Sequence, residues 1–173
     1  EITEESIRIE PACKIAEKNP QALAGHIQKF AISSESARIE LAHRVAEKAP
    51  RPLAENIQNF EIAEESIRIE LARRFAEKAP SSLAPSIQNF AISSESTRIE
   101  LAHRVAEKAP SSLAQNIQNF AIADERARIE LAQIIGRKYL PSCRISESES
   151  DYLARFEISH PSARASLYAS VYL

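Results

Sequence analysis

Glycine is almost missing from this sequence, with two among 173 residues, and tryptophan and methionine are absent. Glycine loses the most backbone freedom in a helix, whereas the abundant Ala, Ile, Leu, Glu, Arg and Lys lose little rotamer freedom there. This composition therefore predicts an all-α protein. Because no methionine provides a start, we interpret the sequence as a segment of a longer protein whose repeats continue upstream.

Cysteines and long apolar runs are also scarce. The two cysteines, Cys13 and Cys143, lie far apart and at no spacing typical of metal ligands or redox pairs. We therefore expect packing residues rather than a disulfide framework, and a reducing, cytosol-like compartment. Without an apolar run of about 20 residues or a signal sequence, we expect no membrane span and no membrane partner.

An excess of basic charge is missing as well. The formal net charge is −2, and positions 30–59 hold four acidic and four basic side chains. Nucleic acids and anionic membranes are bound by surfaces with an excess of Lys and Arg. We therefore expect no nucleic-acid partner; such a partner would predict salt-sensitive retention of the chain on a polyanion column.

A thirty-residue stretch, positions 30–59, dominates what is present. It recurs three times, and each copy opens with phenylalanine: Phe60, Phe90 and Phe120. The copy that starts at Phe90 differs from the first at four positions, and the copy that starts at Phe60 differs at ten. Self-similarity at a fixed period predicts a repeat architecture. Alternate copies are most alike, which indicates a doubled unit of sixty residues.

The repeat divides the chain into two predicted regions. We expect an array of helical-hairpin repeats over 1–136, with units starting near 1, 30, 60, 90 and 120. The pattern breaks at Gly136, and a polar, serine-rich connection follows. We expect 137–173 to be a diverged C-terminal repeat or cap, because Phe156 to Leu167 again matches the opening of a unit and terminal repeats need a different outer face.

Each unit predicts a longer first helix. Ser33 is its predicted N-cap in the second unit, where apolar residues recur at helical spacing over about 34–48 and Pro50 ends the helix. In the first unit, Pro11 occupies the position of an apolar leucine. A proline inside a helix removes a hydrogen bond, so we expect a kink or a late start there.

A shorter second helix is expected next, over about 82–88 in the third unit. Its predicted caps are Ser81 or Ser82, its first turn is expected to contain Pro85, and Asn89 is expected to end it in the left-handed conformation. Helices this short cannot bury their apolar faces alone, so neighbouring units must cover one another. We therefore predict a right-handed α-solenoid of stacked helical hairpins with a 30-residue repeat.

Glutamate and arginine recur at fixed places, as Glu35 and Arg38 in the second unit. They predict a structural ladder in which the arginine pairs locally and reaches the adjoining repeat. The alternative is a row of arginines that binds an anionic ligand, which the neighbouring acids disfavour. Three pairs at i,i+4 spacing are expected to support the first helices: Glu40 with Arg44, Glu70 with Arg74, and Glu100 with Arg104.

The usual signatures of catalysis and metal binding are missing. The sequence contains no HExxH, GxSxG, CxxC or glycine-rich phosphate loop. His43 and His103 occupy equivalent positions two units apart, and we interpret them as surface side chains. We therefore expect no enzyme activity, no cofactor and no metal site in this segment.

The second helices differ between units at positions that bear on partner binding. Four of their positions read Arg-Pro-Glu-Asn, then Ser-Ser-Pro-Ser, then Ser-Ser-Gln-Asn in successive units, at offsets that share one exposed side. Either this surface drifts without constraint or it contacts a partner protein. The hypothesis of a partner-binding surface names Arg51, Glu55, Asn56, Ser86, Gln115 and Asn116.

The motif F-x-I-x-x-E-x-x-R-I-E-L-A resembles tandem helical repeats in effector proteins of intracellular bacteria. Its residues in the fourth unit are Phe90, Ile92, Glu95, Arg98, Ile99, Glu100, Leu101 and Ala102. The resemblance covers residues 1–132 of the chain. It implies delivery into a host cell, location in the host cytosol and binding of a host protein by the solenoid.

These features together predict a protein-protein interaction or scaffold module, the helical-repeat segment of a larger protein. Its expected partner is another protein, and the oligomeric state is left open. The alternative is a regulatory or structural arm of an enzyme whose catalytic domain lies outside this segment.

Overall fold

The computed structural model describes residues 4–139, 154–159 and 161–172, and these ranges contain helices and no strand. The α-helices are α1 (Glu4–Lys18), α2 (Pro20–His26), α3 (Glu35–Lys48), α4 (Pro50–Asn56), α5 (Glu65–Lys78), α6 (Pro80–Ser86), α7 (Glu95–Lys108), α8 (Pro110–Asn116), α9 (Glu125–Tyr139) and α10 (Pro161–Tyr172). Four 3-10 helices follow the seven-residue helices α2, α4, α6 and α8: η1 (Ile27–Phe30), η2 (Ile57–Phe60), η3 (Ile87–Phe90) and η4 (Ile117–Phe120). The all-α class and the 30-residue repeat are confirmed.

The long helix of each repeat starts at a glutamate. The Ser34 hydroxyl oxygen accepts a hydrogen bond from the backbone amide of Ala37 at 3.3 Å, which makes Ser34 the N-cap of α3. Such a bond satisfies one of the orphan amides of the first turn. The prediction of Ser33 as the cap is therefore wrong by one residue, and the predicted span of 34–48 begins one residue too early.

The short helix starts at a proline rather than after the serines. Helix α6 begins at Pro80, and its N-cap Ala79 makes no side-chain capping bond, so the prediction of a start at 82 with serine caps is wrong. Proline is well suited to the first helical position, because its fixed φ is already helical and its missing amide would be unpaired there. Pro85 lies near the end of α6, not in its first turn.

Pro11 does not delay the first helix. Helix α1 runs from Glu4 through Pro11 to Lys18, so the expected late start is wrong, while the kink stays a prediction. Leu41, the counterpart of Pro11 in the second unit, is 1% exposed, whereas Pro11 itself is exposed. In the first repeat this helix position therefore lies at the surface.

A residue in the left-handed conformation ends each 3-10 helix. These residues have φ between 46° and 48°, and none is glycine or asparagine: Ala31, Glu61, Ala91 and Ala121. The backbone amide of Ala91 donates to the Gln88 carbonyl at 3.1 Å, which closes the turn. The expectation that Asn89 takes this conformation is wrong; its side-chain amide instead donates to the carbonyls of Ala54 and Glu55 at 3.1 Å each.

The core repeats with the helices. Leu41, Ala42 and Val45 of α3 are at most 1% exposed, and so are Leu53 and Ala54 of α4. The phenylalanines that open the later repeats are fully buried: Phe60, Phe90, Phe120 and Phe156. The Phe75 ring meets the Phe90 ring edge to face, with centroids 5.7 Å apart. Apolar burial between adjacent repeats therefore supplies the core that a single hairpin lacks.

The chain forms two compact units, Glu1–Ile92 and Ser93–Leu173. The predicted boundary at 136 falls inside α9, which continues to Tyr139. In the second compact unit, Phe156 is buried and Glu157 has φ 50°. The loop at these two residues therefore reproduces the geometry seen after the short helices of the repeats. Cys143 and the rest of the predicted serine-rich connection, from 140 to 153, lie outside the described residues.

Candidate interaction surface

The recurrent glutamate of the motif contacts the next repeat. Glu35 lies in the first turn of α3, and its carboxylate accepts hydrogen bonds from the backbone amides of Ala63 at 2.7 Å and Glu64 at 3.3 Å. These amides lead into α5, where a negative charge also suits the positive end of the helix dipole. Glu95 makes the equivalent bonds to the amides of Ala123 and Asp124, at 2.6 Å and 2.9 Å.

Glu5 forms the same contact in the first repeat. Its carboxylate accepts hydrogen bonds from the Ser33 hydroxyl at 2.7 Å and the Ser34 amide at 2.6 Å. Both bonds stabilise the ionised carboxylate, and they hold the pKa of Glu5 below its ordinary value. The hydroxyl of Ser33, which caps no helix, therefore has a role between repeats.

The recurrent arginine binds backbone carbonyls rather than acids. Arg38 donates from Nε to the Phe60 carbonyl at 2.8 Å and from Nη2 to the Glu61 carbonyl at 3.2 Å, both in the next repeat. Its Nη1 donates to the carbonyls of Ile32 and Ser33 at 2.7 Å and 2.8 Å, in the loop before its own helix. Arg68 repeats this pattern on Phe90, Ala91, Ile62 and Ala63.

We call these two residues, at positions 35 and 38 and their equivalents, the Glu-Arg clamp. The carboxylate binds the start of the next long helix, and the guanidinium binds the end of the 3-10 helix just before it. The expected structural ladder between repeats is confirmed for these residues, but the expected local pairing of Arg38 with Glu35 is wrong. A guanidinium that already donates to four carbonyls has little capacity left for an anionic ligand.

Surface ion pairs lie along the long helices. Arg44 pairs with Glu40 at 2.5 Å and Arg104 with Glu100 at 3.1 Å, as predicted. The predicted pair of Arg74 with Glu70 is wrong: Arg74 reaches across to Glu47 of the preceding repeat at 2.6 Å. Its other Nη group lies 3.3 Å from His43 Nδ1. Spacing within one helix could not reveal this partner, because it belongs to another repeat.

Three equivalent positions, exposed on most of the short helices, form a stripe on each of them. They are the second and sixth residues of the helix and the glutamine of the 3-10 helix, which lie at i, i+4 and i+7 and therefore share one face. We call this the short-helix stripe. In the first compact unit it comprises Gln21, Gly25, Gln28, Arg51, Glu55, Gln58, Ser81, Pro85 and Gln88, and all of these residues are exposed. In the second compact unit it comprises the half-buried Ser111 and the exposed Gln115 and Gln118.

The six residues of the binding hypothesis are not equally accessible. Arg51, Glu55 and Gln115 are exposed and belong to the stripe, and Arg51 pairs with Glu55 at 2.8 Å. Asn56 and Asn116 are half-buried, and their side-chain amides donate to the carbonyls of Pro52 and Ser112 at 2.9 Å and 2.8 Å. Ser86 is 5% exposed. Because a partner cannot reach a buried serine, the accessible part of the hypothesis is the stripe.

Sequence reasoning missed the glutamines of the stripe. Each of the four 3-10 helices has glutamine at this position, and its side chain is exposed at Gln28, Gln58, Gln88 and Gln118. Gln28 donates to the Glu61 carboxylate at 3.4 Å, while Gln58 and Gln88 have no side-chain hydrogen bond among the described residues. An exposed residue that does not vary and has no packing role was the available signal.

The described surface also contains a groove beside the long helices. A groove of about 230 Å³ lies between α3 and α5 and is lined by residues that include Glu47, Arg74, Phe75 and Lys78. Within the described ranges, no group of three or more His, Cys, Asp or Glu residues could hold a metal ion. No helix in the described part of the chain is long and apolar enough to cross a membrane.

The helices, their period and the contacts between repeats define the chain as an all-α repeat array. Comparison with known proteins found no match: no protein-family model, no curated protein and no solved structure matches the chain. The resemblance to effector repeats therefore depends on the motif alone.

Proposed function

We propose that this segment is a protein-protein interaction module that binds its partner through the short-helix stripe. The observation that supports the proposal is that some repeated side chains connect the repeats while others are exposed to solvent. The clamp residues are occupied by contacts between repeats, whereas the variable positions of the stripe, such as Arg51 and Glu55, project into solvent. Positions that vary without affecting packing are where an array of similar repeats can acquire specificity.

Binding rather than catalysis fits this arrangement. An active site requires several different groups that converge in a concave pocket. The stripe presents an exposed row of side chains, with a charged pair in one repeat and neutral residues in the next. On this proposal the chain is a scaffold or adaptor, and the effector resemblance extends the proposal to a partner in a host cell.

Exchange of stripe residues between repeats tests the proposal. The second and fourth units differ at only four positions, three of which lie on the short helix. A triple variant, Arg51→Ser, Pro52→Ser and Glu55→Gln, gives the second unit the short helix of the fourth. We expect it to keep its helicity and to lose proteins that the original chain captures from a cell lysate, measured by quantitative mass spectrometry.

The matched control changes the remaining position, Ala37→Thr, which lies on the long helix. We expect this variant to capture the same proteins as the original chain. Equal capture by the triple variant and the original chain would reject the stripe as the binding surface.

A further inference from the structure

The stripe combines two kinds of position. Its second and sixth helical residues change from repeat to repeat, as in Arg51 and Glu55 against Ser81 and Pro85, while its third position is always glutamine. In the first compact unit, Gln58 and Gln88 make no side-chain hydrogen bond to any described residue, and both are exposed. A ligand that meets this surface therefore encounters one constant group and two variable groups in each repeat.

The constant group has the chemistry of a peptide bond. A primary amide offers two N–H donors and a carbonyl acceptor, so it can pair with the N–H and C=O of a main chain at the same time. This pairing is independent of side-chain identity. Variable neighbours on the same helix face can then contact the side chains of the bound chain.

The spacing of the glutamines suits an extended chain. Successive repeats place one glutamine each, and packed helices lie roughly 8–10 Å apart. An extended polypeptide advances about 10 Å in three residues, so the glutamines of adjacent repeats fall opposite main-chain groups about three residues apart. A cleft of about 200 Å³, lined by Gln28, Asn59 and Glu61 among others, lies beside the first glutamine and leaves room for a side chain of the ligand.

The composition of the stripe argues against other polymers. Its only charges in the first compact unit are Arg51 and Glu55, which pair with each other at 2.8 Å, so it has no excess of base for a phosphate backbone. It contains no aromatic side chain on which a nucleobase could stack.

We infer that the glutamine row Gln28, Gln58 and Gln88 holds the main chain of an extended polypeptide segment, while the variable stripe positions contact its side chains. This inference rests on the proposed function, because it specifies the form of the protein partner. It identifies the ligand as a linear segment rather than a folded surface.

The test uses randomised linear peptides displayed on phage and selected on the full 173-residue chain. A selected peptide is titrated by fluorescence anisotropy against three chains: the original, the double variant Gln58→Ala with Gln88→Ala, and the control Gln133→Ala on long helix α9. We expect the double variant to bind on the order of tenfold more weakly, because it loses several neutral hydrogen bonds, and the control to bind as the original does.

Methylation of the peptide supplies a second measurement. Replacing the contacted main-chain N–H groups of the peptide by N-methyl groups is expected to weaken binding to the original chain. The same peptide is expected to bind the double variant no more weakly than its unmethylated form does, because the partner amides are already gone. Circular dichroism of each variant confirms that helicity is unchanged.

The outcomes separate the inference from the proposed function. Peptide binding that is unchanged in the double variant but lost in the triple variant at positions 51, 52 and 55 overturns the inference and supports the stripe. If no peptide is selected but the original chain captures folded proteins that the triple variant loses, the inference is overturned and the stripe is supported. Loss of neither peptide nor protein binding in either variant overturns both.

Discussion

At the residue scale, the least expected feature is the left-handed conformation of Ala and Glu after each short helix. For an L-amino acid other than glycine this conformation costs roughly 1–2 kcal/mol, and glycine or asparagine is its usual sequence signal. With φ 46° at Ala31 and 48° at Ala91, the chain accepts this cost at every repeat. The sequence could not reveal it, because alanine ordinarily indicates helix, and Asn89 offered a more plausible but wrong candidate.

The strain at Ala91 gives a prediction. We expect Ala91→Gly to stabilise the protein by up to about 1 kcal/mol, because relief of the left-handed strain exceeds the extra entropy that glycine has in the unfolded chain. Urea unfolding followed by circular dichroism measures the change. The control Ala37→Gly, within α3, should instead destabilise by about 1 kcal/mol. A lower midpoint for Ala91→Gly would contradict the strain argument.

The arginine of the clamp gives a second prediction. We expect Arg68→Lys to cost about 1.5–3 kcal/mol of unfolding free energy, because an ammonium group cannot donate to four carbonyls in the directions that the guanidinium reaches. Arg44→Lys, at an exposed pair with Glu40, should change stability by less than about 0.5 kcal/mol. Equal effects at both positions in thermal unfolding would show that the clamp contributes no more than a surface ion pair.

The glutamate of the clamp predicts a dependence on pH. The Ser33 hydroxyl and the Ser34 amide lower the pKa of Glu5 in the folded state from its ordinary value of 4.5. A lowered folded pKa contributes stability that is present above the unfolded pKa and is lost as the pH falls through the folded pKa. We therefore expect the original chain and Glu5→Gln to differ most in stability above about pH 4.5 and to converge below it. A constant difference across acid titration would contradict this linkage.

At the element scale, the repeat period and apolar spacing were sufficient to predict the long helices. Helix α3 begins one residue after the predicted start and ends at the predicted residue, Lys48. The short helices were placed two residues too late, because the serines after Pro80 looked like caps while proline itself occupies the first helical position. For the clamp, the contact between repeats was predicted but the partners of the arginine were not, because side-chain spacing cannot indicate backbone carbonyls of another repeat. Variation between units indicated two positions of the stripe, 51 and 55, but also positions 52 and 56, which are half-buried in the second unit. The glutamines of the stripe were missed because they do not vary.

Pro85 tests the account of the short helix. It lies inside α6, where it lacks the amide that would donate to a carbonyl one turn earlier. We expect Pro85→Gln, which copies Gln115 of the fourth unit, to stabilise the protein by about 2 kcal/mol once the entropy of the unfolded chain is included. Pro80→Gln should destabilise slightly instead, because proline is favourable at the first position. A raised melting temperature for both variants would reject the different roles of the two prolines.

At the scale of the whole molecule, adjacent repeats within each compact unit stabilise one another, as the clamp and the buried phenylalanines show. In such arrays stability is close to a sum of repeat and interface terms. Removal of a whole thirty-residue repeat should therefore leave a folded protein, whereas removal of part of a repeat should not.

Deletion tests this expectation. Removal of residues 60–89 joins Asn59 to Phe90, so the sequence stays in register and the clamp of α3 again faces a Phe-x-Ile loop. We expect this variant to remain helical and to unfold cooperatively at a lower temperature, measured by circular dichroism. Removal of residues 60–74 breaks the register and should abolish the cooperative transition. Retention of that transition would contradict the assignment of the thirty-residue unit.

The clamp has a consequence for how such a protein can change in length over generations. Arg38 and Glu35 recognise carbonyls and amides that every polypeptide carries, so the contact does not depend on which copy comes next. Any copy can succeed any other without a matching substitution. Unequal recombination between nearly identical stretches of the gene would then yield folded products of varied size, and natural selection could lengthen or shorten the protein in whole steps.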